Sequence, residues 1–273
     1  MTINCKDTLI DLSIPKVMGI LNVTPDSFYD GGNYKNNMAI MSQVKTMTEQ
    51  GATFIDVGGY SSRPDADDVS VDEELKRVIP IIEMIVNEFP DTLISVDTFR
   101  SQVAQHAVEA GACMVNDISA GHLDDQMLET VATLKVPYIM MHMRGNPKTM
   151  KTLTSYDNLV KEILFYFSER ISKARALGII DVIIDPGFGF AKTLEQNYEL
   201  LNKLEVLKMT DLPILVGLSR KSMIYKTLNT SSEDALNGTS ILNTIALQKG
   251  ANILRVHDVK EAMECITLTQ QLH

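Results

Sequence analysis

Eight short apolar runs, rich in β-branched residues, punctuate the chain at residues 17–23, 54–57, 93–96, 114–115, 136–141, 182–184, 214–216 and 253–256. They lack polar alternation, which is how parallel strands covered on both faces read. Amphipathic segments long enough to be helices lie between them. Eight strands alternating with helices over about 250 residues is what a closed barrel requires, whereas an open doubly wound sheet more often carries fewer strands. Periodicity alone leaves the open sheet standing. However, Gly19, Gly58 and Gly217 do not form the Gly-x-Gly-x-x-Gly turn that would come after the first strand of a dinucleotide-binding sheet. The sequence therefore predicts an α/β protein, a single (β/α)8 TIM barrel spanning residues 1–273 as one domain. A short N-terminal strand or cap before Val17 should lie over the barrel floor.

The predicted helices carry their own punctuation. Ser70-Val71-Asp72-Glu73 fits a capping box, with Leu75, Val78, Ile79, Ile82 and Val86 coming after it at helical spacing and Pro80 expected to kink the helix. Val103, Ala104, Ala107 and Val108 make a stripe that ends at Gly111, a glycine suited to a left-handed cap. Later helices are expected over residues 156–177, 194–208, 232–249 and 259–272, with Gly250 again closing one of them.

Composition narrows the partners. A formal net charge of −10 opposes a polyanion footprint, so no nucleic acid is expected and any anion must be held locally. The three cysteines, Cys5, Cys113 and Cys265, are far apart and form no Cys-x-x-Cys pair, which fits a reducing cytoplasm. The first residues lack a basic segment leading into an apolar core, and no apolar run approaches a membrane span, so neither targeting nor membrane association is expected.

The strand exits are the most informative feature. They carry Asn22, then Gly58-Gly59-Tyr60-Ser61-Ser62-Arg63, Asp97, Asn116-Asp117, His142, Asp185, Ser219-Arg220-Lys221 and Arg255-Val256-His257. A single polar residue at a strand end is most often a cap or turn former. Eight polar exits opening on one barrel face describe a pocket instead. Asp97, Asn116, Asp185 and Lys221 mix acceptors and donors as the edge of an amino-pyrimidinone heterocycle requires. Asn22, Arg63, Arg255 and His257 suit an anion, with Arg255 and His257 two apart and so on one side of their strand. Ser61 and Ser62 sit in a glycine-led turn where hydroxyls and N–H groups complete a phosphate nest.

These residues resemble the dihydropteroate synthases, a family of pterin-binding barrels. Gly-Ile-Leu-Asn-Val-Thr-Pro-Asp-Ser-Phe-Tyr-Asp-Gly-Gly from Gly19 is similar to the family's first signature, and Asp-Val-Gly-Gly-Tyr-Ser-Ser-Arg-Pro from Asp56 to its second. Ser-Val-Asp-Thr from Ser95, Asn-Asp-Ile from Asn116, Met-His-Met-Arg-Gly-Asn-Pro from Met141, Asp-Pro-Gly-Phe-Gly-Phe from Asp185, Ser-Arg-Lys-Ser from Ser219 and Arg-Val-His-Asp from Arg255 come next, in the family's order. The second signature commonly reads Gly-Gly-Glu-Ser-Thr-Arg-Pro, so Tyr60 stands here for an acidic residue and Ser62 for threonine.

The resemblance implies condensation of (7,8-dihydropterin-6-yl)methyl diphosphate with 4-aminobenzoate. It assigns Asp97, Asn116, Met141, Asp185, Lys221 and Arg255 to the pterin, and Asn22, Ser62, Arg63, Arg255 and His257 to the diphosphate. Mg²⁺ would bridge Asn22 and phosphate oxygens. Pro64, Phe190, Lys221 and Ser222 would receive the aminobenzoate, and a homodimer is implied. Lys221, Arg255 and His257 are the expected catalytic residues. Asp30 joins them as a residue of the lid over residues 24–32, although by itself it reads first as a turn former before Gly31-Gly32. Two other readings share parts of this pattern. A methyltetrahydrofolate-dependent methyltransferase gives no reason for Lys221-Ser222 or the Arg255/His257 pair, and a non-catalytic pterin carrier needs no lid.

Overall fold

The computed structural model describes residues 1–23, 34–60 and 69–272. Strands β1 (Thr2–Cys5) and β2 (Thr8–Asp11) form an antiparallel hairpin. Eight parallel strands come after it: β3 (Lys16–Asn22), β4 (Phe54–Gly58), β5 (Leu93–Asp97), β6 (Met114–Asp117), β7 (Tyr138–Met141), β8 (Val182–Asp185), β9 (Leu215–Val216) and β10 (Ile253–Val256). They pair in the order β8-β7-β6-β5-β4-β3-β10-β9, and a bridge between Ile184 and Ile214 joins the two ends, so the sheet closes into a barrel. Each of the eight apolar runs has become one of its strands.

Helices α1 (Tyr34–Glu49), α2 (Val71–Glu88), α3 (Ser101–Glu109), α4 (Met127–Leu134), α5 (Leu159–Ala176), α6 (Leu194–Asn202), α7 (Ser222–Leu228), α8 (Leu236–Gln248) and α9 (Val259–Gln270) surround it. Helix α2 runs unbroken through Pro80. Its cap is half of the predicted box: Ser70 Oγ accepts from Glu73 N, while the Glu73 carboxylate turns to Arg77 instead. A full capping box occurs at Thr193 and Gln196, a site for which none is predicted. Gly111 and Gly250 have φ of +116° and +99°, as helix-ending glycines require.

All four later predicted helices come out shorter, α6 and α8 for reasons the structure shows. Helix α6 stops at Asn202 and gives way to a 3₁₀ stretch over Leu204–Thr210. Helix α8 begins at Leu236 rather than 232, because the carbonyls of Ser232 and Glu233 accept from the Arg220 guanidinium instead of entering a helix.

Successive side chains on a strand alternate between the barrel interior and the helix layer. The outward set, including Val17, Leu21, Val57, Val96, Val115, Met140, Ile184 and Val256, joins the helices in the main core. The inward set divides by height. At the bottom, Met18, Phe54, Met114, Ile139, Ile183, Leu215 and Ile253 pack on Ile3, Cys5 and Leu12 of the N-terminal hairpin segment, so the predicted cap is an apolar plug in the barrel floor. Above that floor the inward side chains become polar: Asp56, Ser95, Asp97, Asn116, Asp185 and Arg255. The plug excludes water from below, and this polar layer therefore faces only the upper mouth.

Candidate active site

Register builds the polar layer. Asp56 pairs with Ser95, Asp97 with Asn116, and Met141 with Asp185 across adjacent strands, so residues far apart in sequence line the same upper part of the interior. Arg255 lies opposite Met18 on β10 and reaches across the interior. Its Nε donates to Asp56 Oδ2 and its Nη2 to Asp97 Oδ2, both at 2.6 Å, while Asn116 Nδ2 donates to Asp56 Oδ2 at 2.9 Å. Asp56 is wholly buried, and its Oδ1 has no partner among the described residues.

Burial governs the electrostatics of this layer, because a low-dielectric setting disfavours whichever form is charged. It pushes the Asp97 carboxyl up to about 7, with Arg255 only partly offsetting the rise. Asp185 is raised for the same reason, with Lys221 as its main counterweight. The ammonium of Lys221 is pulled down to about 8 by burial, against the pull of Asp185. For Arg255 burial also acts downward, but the carboxylates of Asp56 and Asp97 more than reverse it.

The loop after β8 forms one wall. Asp185 Oδ1 accepts from Gly187 N at 2.8 Å, and Gly187, Gly189 and Ala191 all lie at positive φ. A Cβ on Gly187 would stand 2.1 Å from the His142 carbonyl oxygen, so only glycine lets this loop close on the end of β7. Lys221, the residue that opens α7, donates from Nζ to the Phe188 carbonyl and lies 5.0 Å from the centre of the Phe190 ring. Phe188 is buried in the main core, whereas Phe190 is half-buried beside Ile118, Met141, Met143, Met150 and Ala191. Of the two alternating aromatics, Phe190 is thus the one presented at the mouth.

Among the remaining predicted residues, Asn22 ends β3 half-buried, and its amide makes no hydrogen bond to a described residue. His257 is exposed, with Nδ1 placed 2.9 Å from Ser219 Oγ. Ser222 is half-buried in the first turn of α7. Ser61, Ser62, Arg63 and Pro64, and the lid with Asp26, Phe28 and Asp30, lie outside the described residues. Asp117, next to Asn116, points the other way and accepts from Tyr138 Oη, Ser119 and Gly121 N, which makes it the anchor of its own turn. Tyr60, the departure in the second signature, sets its ring edge-on to Phe99 at 5.1 Å and beneath the Arg100 guanidinium at 5.4 Å. Arg100 in turn pairs at 2.6 Å with the buried Glu74.

Two members of the site are not evident from the sequence. Asp56 opens the second signature without a role of its own, and Lys192 stands in no motif. Lys192 is 9% exposed, and its ammonium is bonded to the Phe190 loop and to His142.

A barrel mouth with acidic and amide groups at its base, an arginine through its centre and an apolar wall beside them offers the chemistry to hold a flat polar heterocycle next to a second, aromatic partner. Similarity to known proteins agrees with this. The model of the pterin-binding enzyme family matches residues 18–257. The dihydropteroate synthase of Escherichia coli is 44% identical over 272 residues, covering 99% of this chain and 96% of that protein. A solved dihydropteroate synthase from Yersinia pestis in complex with a sulfonamide drug superposes with a TM-score of 0.93 at 42% identity, covering 100% of this chain and 99% of that one. The Xanthomonas albilineans enzyme with 4-aminobenzoic acid gives 0.92 at 40% identity, covering 99% and 97%. The chain belongs to the pterin-binding enzymes and, within them, to the dihydropteroate synthase family, whose members are transferases of folate synthesis.

Proposed function

We propose that the barrel mouth joins 4-aminobenzoate to (7,8-dihydropterin-6-yl)methyl diphosphate, releasing diphosphate and 7,8-dihydropteroate. The observation that carries this reading is the single interior layer of Asp56, Asp97, Asn116, Asp185 and Arg255, sealed from below and flanked by Lys221 and Phe190.

In this reading Asp185 and Asn116 accept from and donate to the heterocycle's edge, Lys221 donates to its oxo oxygen, and Met141 and Arg255 cover the ring faces. Asp97 adds a carboxylate at the same level. The 4-aminobenzoate stands against Phe190 and Pro64, with Lys221 and Ser222 near its carboxylate. The diphosphate is held by Asn22, Ser62, Arg63, Arg255 and His257, and Asp30 closes over the site from the lid.

Mg²⁺ fits the donor chemistry on offer. Asn22 presents an amide that no described residue engages, and Mg²⁺ characteristically takes one or two protein oxygens with waters and substrate phosphate oxygens for the rest. When bound there it would neutralise charge on the diphosphate. Among the described residues no three His, Cys, Asp or Glu side chains gather as a metal cage.

The homodimer implied by the resemblance would cover apolar side chains that α8 and α9 expose, such as Ile241 and Leu268 at 52% and 70%. Sedimentation in buffer tests it. Among the described residues no helix is long and apolar enough to cross a membrane, and the free, buried Cys5, Cys113 and Cys265 are compatible with a reducing cytoplasm. The activity itself is tested by incubating both substrates with Mg²⁺ and monitoring dihydropteroate by chromatography. Pterin binding without any condensation would favour a carrier, and transfer of a methyl group from a reduced folate would favour the methyltransferase reading.

A further inference from the structure

Lys192 lies next to the polar layer but belongs to none of the sets the sequence assigns. An ammonium has three N–H donors. Here its nitrogen stands 3.1 Å from His142 Nδ1, 2.9 Å from the Gly187 carbonyl and 3.0 Å from the Phe190 carbonyl, which uses all three. His142 is itself buried and set edge-on to Tyr166 at 4.8 Å, so it is a fixed acceptor rather than a mobile one. Burial and the nearby Lys192 cation hold its imidazole well below the usual range, which keeps Nδ1 available to accept.

The segment this ammonium holds is irregular, and Lys192 is the side chain that bonds both of its carbonyls at Gly187 and Phe190. Gly187, Gly189 and Ala191 all have positive φ, so the loop forms no regular ladder. Its other ties are Phe190 N to Gly187 O, Gly187 N to Asp185 Oδ1, Gly189 N to Asn197 Oδ1, Tyr156 Oη to Ala191 O, and the Lys221 ammonium on the Phe188 carbonyl. Lys221 and Lys192 both grip the loop through its carbonyls, and the Phe190 ring lies beside the Lys221 ammonium and packs on the Met141 cluster. A buried charge at this position is costly unless every donor is satisfied. All three are, and two of the three partners are backbone carbonyls of the loop that ends in Phe190.

We propose that Lys192 is a positioning residue for the second substrate: by tying the Gly187 and Phe190 carbonyls to His142 at the end of β7, it fixes the aromatic wall against which the arylamine is placed. The inference rests on the assignment of Phe190 to the aminobenzoate. It makes Lys192 act through Phe190 and leaves the pterin edge, read by Asp185 and Asn116, to other contacts.

The test compares Lys192→Met, Lys192→Gln and Lys192→Arg with Phe190→Ala, each checked by circular dichroism and by calorimetric binding of a pterin lacking diphosphate. In Lys192→Met the KM for 4-aminobenzoate should rise about tenfold, the scale of one charge-assisted hydrogen bond, with pterin affinity within about threefold of wild type and kcat changed less than KM. Lys192→Gln, with two N–H donors and no charge, should fall between the two. Lys192→Arg should be nearer wild type than Lys192→Met. If Phe190→Ala leaves the KM for the amine unchanged, the assignment of Phe190 fails. If Phe190→Ala raises that KM and Lys192→Met does not, the assignment stands and the role given to Lys192 falls. Equal losses of pterin and amine affinity, or loss of fold in all three Lys192 variants, would make Lys192 a residue of general stability and overturn the proposal.

Discussion

The Arg255 guanidinium donates to Asp97 at 2.6 Å, joining a residue the family resemblance assigns to both the ring and the diphosphate to one it assigns to the ring alone. The same guanidinium bonds the fully buried Asp56, so one arginine pairs with two interior carboxylates. Breaking a buried pair by removing one partner leaves an uncompensated charge and typically costs about 3–5 kcal/mol. Arg255→Met should therefore lower the unfolding free energy by about 3 kcal/mol in urea denaturation, beyond any effect on turnover. Adding Asp97→Asn to that variant should recover part of the loss, because it removes one of the stranded charges. Unchanged stability in the single variant would mean that Arg255 serves only the ligand.

A second consequence concerns pH. Burial raises Asp97 to about 7, so its carboxylate form, the one able to accept two parallel N–H bonds, is depleted below that pH and complete well above it. Affinity for a pterin lacking diphosphate should fall as pH drops from 8 to about 5.5, by roughly tenfold per unit once well below the shifted value. Asp185, also raised by burial, would contribute in the same direction. Calorimetry across this range should show the slope reduced in Asp97→Asn. A flat wild-type profile would refute ionised Asp97 as a pterin acceptor.

Asp185→Asn separates ligand binding from folding. The asparagine amide oxygen can still accept from Gly187 N, the bond that Asp185 Oδ1 now makes at 2.8 Å, so the loop should keep its shape. What disappears is the negative charge that the proposed site turns toward the heterocycle's N–H edge. Pterin binding should weaken by about 2 kcal/mol, with circular dichroism and the urea midpoint close to wild type. If instead the midpoint falls sharply and pterin affinity holds, Asp185 is a turn residue before Pro186-Gly187, the alternative its sequence context offers.

The contrast between legible and hidden residues has a physical basis. Strand runs and exits are legible because the signal is local: an apolar run ending in a polar residue needs no knowledge of the partner strand. Arg255 and His257, two apart, are expected on one side of their strand, yet only Arg255 enters the described ion-pair layer, since His257 lies past the end of β10 and is exposed beside Ser219. Asp56 is hidden because its partner Arg255 is 199 residues away and is brought to it only by barrel closure. Lys192 is hidden in the same way, as its acceptor His142 lies 50 residues earlier. Helix ends escape prediction where a tertiary contact takes backbone carbonyls, as Arg220 does at Ser232 and Glu233. The Tyr60 departure becomes interpretable only with Phe99 and Arg100 in place around its ring.

The order of bond changes is open to a direct test. The substrate carbon is attached to an electron-rich dihydropterin that delocalises a developing cation, and diphosphate leaves well once its charge is neutralised. The proposed site supplies donors for that purpose, with Arg255 in the interior layer, Lys221 beside it and His257 at the rim. The nucleophile is a weak aromatic amine, already neutral at pH 7, and gains little from a general base. Lys192, whose burial pulls it down to about 7, has its nitrogen engaged by three acceptors, so it is not free to serve as one. Cleavage of the C–O bond should therefore run ahead of C–N formation. The pterin diphosphate incubated with enzyme and Mg²⁺, without 4-aminobenzoate, should release diphosphate at a measurable rate. His257→Ala should slow that release while leaving the affinity for a pterin lacking diphosphate nearly unchanged. Asp30→Asn should also slow it if the lid carboxylate stabilises the cation. A strict requirement for the amine before any diphosphate appears, together with undiminished turnover in Asp30→Asn, would count decisively against this order and against that role for Asp30.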